Sequence, residues 1–117
     1  MTASTILAIP LALVFAALGS AKILALAPMR QRAAEVGFTP AAYRRIGILE
    51  LAAAAGLALG SVIPVVGALA GTGLLLLLGG ALIVHLRHGD AVPKLAPAAL
   101  LGLVVTTYLI LLSGAVS

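Results

Sequence analysis

Long apolar runs separated by short polar stretches dominate the pattern of this chain. Four runs can be distinguished, over about residues 5–27, 46–62, 65–86 and 95–113. A helix needs roughly 20 apolar residues to span the hydrocarbon core of a bilayer, with about 17 as a practical minimum. The runs are far longer than barrel strands and show no two-residue alternation, so strands are not expected. The pattern predicts an all-α membrane protein, a compact bundle of four transmembrane helices.

Polar stretches and one proline set the limits of the runs. Residues 28–45 are polar and basic, and they form either a solvated loop or a short helix at the membrane surface. Pro64 separates the second run from the third, because proline cannot continue a helix interior without losing a hydrogen bond. With 117 residues, the chain is expected to form a single domain over 1–117.

Composition supports the membrane interpretation and excludes several function classes. Hydrophobic residues make up 63% of the chain and charged residues 9%, whereas a soluble domain is nearer half apolar and a quarter charged. Cysteine is absent, which excludes disulfide, thiol and cysteine-ligated metal chemistry. The net charge is +4, but the basic residues lie in short loops. This placement indicates membrane topology rather than nucleic-acid binding.

The positions of the charged residues predict which loops face the cytoplasm. The first and third loops hold nearly all of the basic residues: Arg30, Arg32, Arg44, Arg45, Arg87 and Lys94. The N-terminal tail, the second loop and the C-terminal tail carry no charged side chain. Basic loops stay on the cytoplasmic side, so we expect the first and third loops inside and both termini outside.

Small residues at four-residue spacing predict close helix packing. Gly56 and Gly60 form such a pair in the second run, and Gly67 and Gly71 form another in the third. Lipid provides no hydrophobic drive between helices, so small residues are needed for backbones to approach each other. The motifs favour a compact bundle and leave open whether one face serves a homo-oligomer.

Glu50 is the acidic residue that stands inside an apolar run. Placing a charge in the bilayer costs roughly 2.5–3.5 kcal/mol on insertion scales, so such residues usually have a partner or a function. Lys22, near the end of the first run, is the candidate partner. Under the predicted topology His85, at the end of the third run, reaches the same depth. Three helices are therefore expected to bring these side chains into one polar layer near the cytoplasmic face.

Three interpretations of this layer remain open. In the first, Lys22 and Glu50 form an ion pair that locks two helices, while His85 and Arg87 extend to the headgroups. In the second, Lys22, Glu50 and His85 form a ligand or catalytic pocket, where Glu50 exchanges protons with an apolar molecule. Arg87 and Asp90 are further candidate ligand-binding residues of this pocket. The third is a proton or ion path. No metal site is predicted, since the two histidines at positions 85 and 88 are better explained as solvated at the interface.

Four short motifs resemble the DoxX-like family of small bacterial membrane proteins. They are GSAK at 19–22, RxxAxxxG at 30–37, IGILE at 46–50 followed by Gly56, and RHGD at 87–90. The resemblance implies a four-helix fold in the bacterial cytoplasmic membrane. It also implies kinship with membrane subunits associated with thiosulfate–quinone oxidoreduction and oxidative-stress complexes.

From the resemblance we expect a membrane subunit or scaffold that binds a protein partner and, as a candidate ligand, a quinone or another apolar molecule near the cytoplasmic face. The chain shows no cofactor ligand of its own, so independent redox catalysis is not expected. The alternative is a small membrane enzyme, of isomerase, cyclase or hydrolase type, that uses Glu50 as general acid or base on an apolar substrate.

Overall fold

Every regular element of the protein is an α-helix in the part of the chain that the computed structural model describes, residues 2–114. There are five helices in that part: α1 (Ala3–Ile23), α2 (Ala27–Glu35), α3 (Pro40–Leu59), α4 (Pro64–Arg87) and α5 (Val92–Leu112). The predicted terminal tails fall partly outside the described residues. The all-α prediction is confirmed, with five helices in place of the expected four.

Three of these helices, α1, α4 and α5, are long and apolar enough to cross a membrane. Helix α3 has 20 residues, but it carries the charges of Arg44, Arg45 and Glu50. The prediction of four transmembrane helices is therefore confirmed only in its coarser form, an all-helical protein with three helices of membrane-spanning character.

Helix α3 begins earlier than the apolar run that predicted it. The expected start was near residue 46, whereas the helix begins at Pro40. The Thr39 hydroxyl accepts a hydrogen bond of 3.1 Å from the Ala42 backbone N–H, and proline suits the first helical position because it lacks an N–H. The cap extends the helix through polar residues that hydropathy alone assigned to a loop.

The stretch between α1 and α3 contains a helix, which resolves one alternative left open by the sequence. Helix α1 ends at Ile23, short of the predicted residue 27, and Ala25 turns the chain with a φ of 51°. In α2, Met29 and Ala33 are buried, so one face of this helix packs against the bundle. Gly37 adopts a φ of 77° just after α2, a conformation that glycine tolerates and that ends helices.

The four long helices pack in a ring in which each contacts two neighbours. Helices α1 and α4 both contact α3 and α5, while α2 lies against α1 and α3. Every long helix contributes to the centre, where the largest fully buried side chains are Phe15, Leu57, Leu74, Val105 and Tyr108.

Glycines mark the closest approaches between helices. A Cβ atom on Gly19 would lie 2.7 Å from the carbonyl oxygen of Gly47, and the reverse distance is also 2.7 Å. At the other end of the bundle, a Cβ on Gly60 would lie 2.7 Å from the Cα of Gly67. Not every glycine has this role, since a Cβ on Gly79 would meet nothing within 4 Å.

Large apolar side chains cover the outer faces of the long helices. Examples from four helices are Leu13 at 67% exposure, Ile48 at 56%, Leu69 at 69% and Leu103 at 65%. A water-soluble monomer rarely exposes so much continuous apolar surface. These faces suit contact with lipid.

Candidate functional site

An ion pair between Lys22 and Glu50 joins α1 to α3. The Lys22 ammonium donates a hydrogen bond to the Glu50 carboxylate at Oε1, and only 14% and 5% of the two side chains are exposed. Gly47, one turn before Glu50, makes this possible, because a Cβ there would lie 2.7 Å from the Cβ of Lys22. The lysine side chain therefore crosses α3 over a glycine. The pairing expected from the sequence is present, and its role in function stays a prediction.

Tyr43 covers the other side of the lysine. The Lys22 ammonium lies 5.0 Å from the centre of the Tyr43 ring, within the range of a cation–π interaction. The edge of one aromatic ring meets the face of the other where Phe38 packs against Tyr43, with ring centres 6.3 Å apart. The sequence reasoning missed this contact. Tyr43 stands seven residues before Glu50, a spacing that places both on one face of a helix once α3 is known to start at Pro40.

A second group of polar contacts links α4, α5 and α2. The Nδ1 atom of His85 lies 2.6 Å from Oδ2 of Asp90, and the Lys94 ammonium lies 3.9 Å from the same carboxylate and 3.5 Å from that of Glu35. The hydrogen bond from His85 is the main cause that holds the pKa of Asp90 below its usual value, and the charge of Lys94 adds to it. The link to Glu35 was not predicted.

Two cavities adjoin the Lys22–Glu50 pair and share part of their walls. The first, which we call the apolar cavity, has a volume of about 280 Å³, and the second, the polar cavity, has about 390 Å³. Seven residues line both cavities: Phe15, Lys22, Val36, Tyr43, Glu50, Leu78 and His85. Lys22, Glu50 and His85 thus converge from three helices on the same space, as the sequence suggested.

The walls that the cavities do not share differ in polarity. The apolar cavity continues past Phe38 and Ile46 and along α4 from Val84 back to Leu76. The polar cavity continues toward Arg32 and Glu35 at the end of α2 and toward Lys94 in the first turn of α5. Apolar walls with a few convergent polar groups are typical of small-molecule sites.

A larger cavity lies elsewhere and has no such chemistry. It is an open groove of about 580 Å³ between α3 and α4, lined by small or aliphatic residues that include Ala53, Gly56 and Ala70. A lipid-facing groove of this kind arises wherever small residues line two neighbouring helices. We therefore place the candidate site at the ion pair, where the polar side chains converge.

The remaining predicted residues are only partly drawn into the site. Asp90 contacts His85 but lines neither cavity, and Arg87 is exposed and lines neither. His88 contacts the backbone of its own helix, with its Nδ1 atom 2.9 Å from the carbonyl oxygen of Val84. Within residues 2–114 no cluster of three or more potential metal-ligating side chains occurs.

At the opposite end of the bundle Tyr108 is a second buried polar side chain. It is 1% exposed, and its hydroxyl has no hydrogen-bond partner among the described residues. The hydroxyl lies against Gly60 and Gly67, where a Cβ on Gly60 would come within 2.6 Å of it. This burial was not predicted from the sequence.

The groups at the ion pair define what the site can do chemically. A buried carboxylate can accept or release a proton, and so can an imidazole. The lysine ammonium has further N–H donors beside the one that it gives to Glu50. Apolar side chains form one side of the site. The arrangement can hold a molecule that presents an acceptor or a negative charge to Lys22 and His85 and an apolar body to α4.

Three long apolar helices, lipid-type outer faces and a few polar groups collected at one end describe an integral membrane protein. The comparison with known families agrees, since a model of the DoxX-like family matches residues 6–107. The chain belongs to the DoxX-like family, and the resemblance seen in its motifs is confirmed. The matched region includes both cavities. No curated protein and no solved structure gives a significant match.

Proposed function

We propose that this protein is a multi-pass subunit or scaffold of the bacterial cytoplasmic membrane that binds an apolar ligand with a polar head beside Lys22 and Glu50. The observation that carries the proposal is the shared wall of the two cavities, where a 5%-exposed carboxylate meets both apolar and cationic side chains. Intramembrane ionisable residues that face a cavity commonly mark a ligand or ion site.

The proposed topology has all four long helices crossing the membrane, including α3. The basic loops between α1 and α3 and between α4 and α5 then lie in the cytoplasm, and both termini lie outside. The support is the charge pattern, together with a ring of four helices in which Lys22, Glu50 and His85 share one end. Reporter fusions at the C-terminus and within residues 28–39 test it, and a cytoplasmic C-terminus would refute this topology.

A quinone is one ligand whose chemistry the site fits. Its flat ring would lie against Phe15 and Leu78, and Lys22 and His85, which line the same cavity, would donate hydrogen bonds to a carbonyl oxygen. A bound quinone would supply electron-accepting chemistry that the chain lacks. Glu50 would hold Lys22 in place and exchange protons at the edge of the cavity.

Mass spectrometry of small molecules that co-purify with the full chain tests the proposal. We expect an apolar molecule in stoichiometric amount with the parent protein and its loss from the Glu50→Gln variant. Tyr108→Phe is the matched control, because it alters a buried polar group at the far end of the bundle. An equal amount of ligand in all three proteins would refute binding at the pair. A protein that co-purifies in fixed ratio would identify the partner.

The second candidate function is a small membrane enzyme in which Glu50 acts as general acid or base. The observation that favours it is the burial of Glu50 beside a histidine that lines the same cavities. Incubation of the purified protein with its co-purified molecule, followed by product analysis, separates the two functions. Turnover that disappears in Glu50→Gln while the ligand is retained supports the enzyme, and an unchanged ligand supports the binding role.

A further inference from the structure

The polar cavity contains one cationic side chain that no acidic group neutralises. Lys22 is paired with Glu50, and Lys94 lies near Glu35 and Asp90. Arg32, on the last turn of α2, also lines this cavity, and it forms no ion pair with any other residue of 2–114. A planar guanidinium is well suited to bind a carboxylate or a phosphate through two parallel hydrogen bonds.

The apolar cavity shares the wall at Lys22 and Glu50, and its own remaining wall is apolar. Beyond the shared residues it is lined by α4 side chains such as Leu77, Ala81 and Val84. Phe38, between α2 and α3, and Ile46, in α3, complete this wall. None of these five can pair with a charge. Polarity therefore changes between the two adjoining cavities, from Arg32 and Lys94 in one to aliphatic groups in the other.

We propose that the two cavities form one site for a single-chain amphiphile with an anionic head, a carboxylate or a phosphate. The head binds at Arg32 and Lys94, and the hydrocarbon chain lies along α4 in the apolar cavity. The apolar cavity, which would hold the hydrocarbon chain, has a volume of about 280 Å³, just below the usual range for small-molecule pockets, so one chain fits better than two. This inference rests on the proposed function and names the ligand class.

Glu35 acts as an internal competitor for the ligand head. Its carboxylate lies 3.5 Å from the Lys94 ammonium, with more than half of both side chains exposed. An ion pair at this exposure contributes little stability, and no backbone contact joins α2 to α5. An anionic head can therefore take the place of Glu35 at low cost. Removing Glu35 should strengthen binding, whereas removing Arg32 should weaken it.

Photolabelling of the full chain in phosphatidylcholine nanodiscs tests the inference. The probe is palmitate with a photoreactive diazirine in its chain, and the competitors are palmitate, hexadecyl phosphate and hexadecanol. We expect label on the α4 residues of the apolar cavity, with palmitate or hexadecyl phosphate competing better than hexadecanol. The stronger of the two anionic competitors identifies the head as carboxylate or phosphate.

Charge variants provide the sharper measurement. Arg32→Gln should weaken palmitate competition by about threefold and Glu35→Gln should strengthen it by about twofold, as expected for partly exposed charges. Arg30→Gln, on the same helix but outside both cavities, should change nothing. If Arg32 and Glu35 had a purely structural role, one variant would not weaken palmitate competition while the other strengthens it.

Three other outcomes would each contradict one part of the proposal. If hexadecanol competes as well as palmitate at the same labelled residues, the anionic head is wrong while the apolar ligand site stands. If Arg32→Gln behaves like Arg30→Gln, the head does not bind at Arg32. If the label falls on the outer faces of the helices and none on the cavity, both this inference and the ligand-binding proposal fail.

Discussion

Lys22 and Glu50 pair beside the point where the backbones of α1 and α3 come closest. The lysine follows Gly19 by three residues and the glutamate follows Gly47 by three, so each charged side chain leaves its helix one turn after the glycine contact. Close backbones let a short carboxylate reach the lysine. The ion pair and the glycine contact therefore stabilise the same interface.

The first prediction concerns the charge balance of the pair. Lys22→Met and Glu50→Gln should each destabilise the protein by about 3 kcal/mol, because each leaves a buried charge without its partner. The Lys22→Met/Glu50→Gln double variant should recover most of that loss, since no unpaired charge remains. Thermal unfolding in detergent micelles, followed by circular dichroism, measures the three differences.

The exposed ion pair between Lys94 and Glu35 is the control for the single and double variants of Lys22 and Glu50. Lys94→Met and Glu35→Gln remove an ion pair whose side chains are 52% and 58% exposed, and each should change stability by less than about 1 kcal/mol. Additive losses at Lys22 and Glu50, with no recovery in the double variant, would show that the buried charges do not stabilise each other.

The second prediction concerns the glycine contact. Gly47→Ala should destabilise the protein by about 2 kcal/mol, because the new Cβ would lie 2.7 Å from the Gly19 carbonyl and from the Lys22 side chain and the helices would have to separate. Gly79→Ala is the matched control in α4. A Cβ there meets nothing within 4 Å, so stability should stay equal or rise by up to about 1 kcal/mol. The same unfolding measurement compares them, and equal effects of the two variants would exclude a special role for Gly47.

The sequence predicted the part of the site in which placing a charge in an apolar helix costs free energy. A carboxylate in an apolar run needs a partner, and Lys22 was the cation that the loop charges placed at the same depth. Tyr43 and Arg32 could not be found in this way, because aromatic and basic residues near a membrane surface are common. The contact of Tyr43 depends on where α3 begins, and that of Arg32 depends on how α2 packs.

The fold shows the same division between strong and weak sequence signals. Hydropathy located the centres of the long helices, since apolar length is a strong constraint in lipid. It did not locate the start of α3, where the Thr39 cap and Pro40 extend the helix through polar residues, nor α2, whose buried face consists of only Met29 and Ala33. Both depend on local hydrogen bonds and packing rather than on hydropathy.

The third prediction concerns the aspartate in the loop between α4 and α5. Asp90 is the single aspartate of the chain, so selective ¹³C labelling gives one carboxyl resonance to titrate by NMR. Its pKa should lie below the ordinary value, mainly because His85 donates a hydrogen bond to the carboxylate. The stabilisation from this contact is then fully present above the ordinary pKa of aspartate and is lost as the pH falls through the lowered one.

Two histidine variants determine the cause of that shift. His85→Leu removes the hydrogen bond and should raise the pKa of Asp90 toward its ordinary value. His88→Leu should raise it much less, since the ring of His88 faces the Val84 carbonyl and acts on Asp90 only through its charge. Equal shifts in the two variants would mean that charge, and not the hydrogen bond, sets the pKa.

The last prediction concerns Tyr108, whose buried hydroxyl has no hydrogen-bond partner among residues 2–114. An unsatisfied buried polar group costs about 1–3 kcal/mol, so Tyr108→Phe should stabilise the protein by about 1 kcal/mol. Gly67→Ala should destabilise it, because the added Cβ would collide with this hydroxyl. In the Gly67→Ala/Tyr108→Phe variant the loss should be smaller than the sum of the two single effects. Recovery should stay partial, because the Cα of Gly60 would also lie 2.9 Å from the new Cβ. Unfolding of the four proteins in one detergent measures the coupling, and strictly additive effects would show that the hydroxyl does not fill the space between the two glycines.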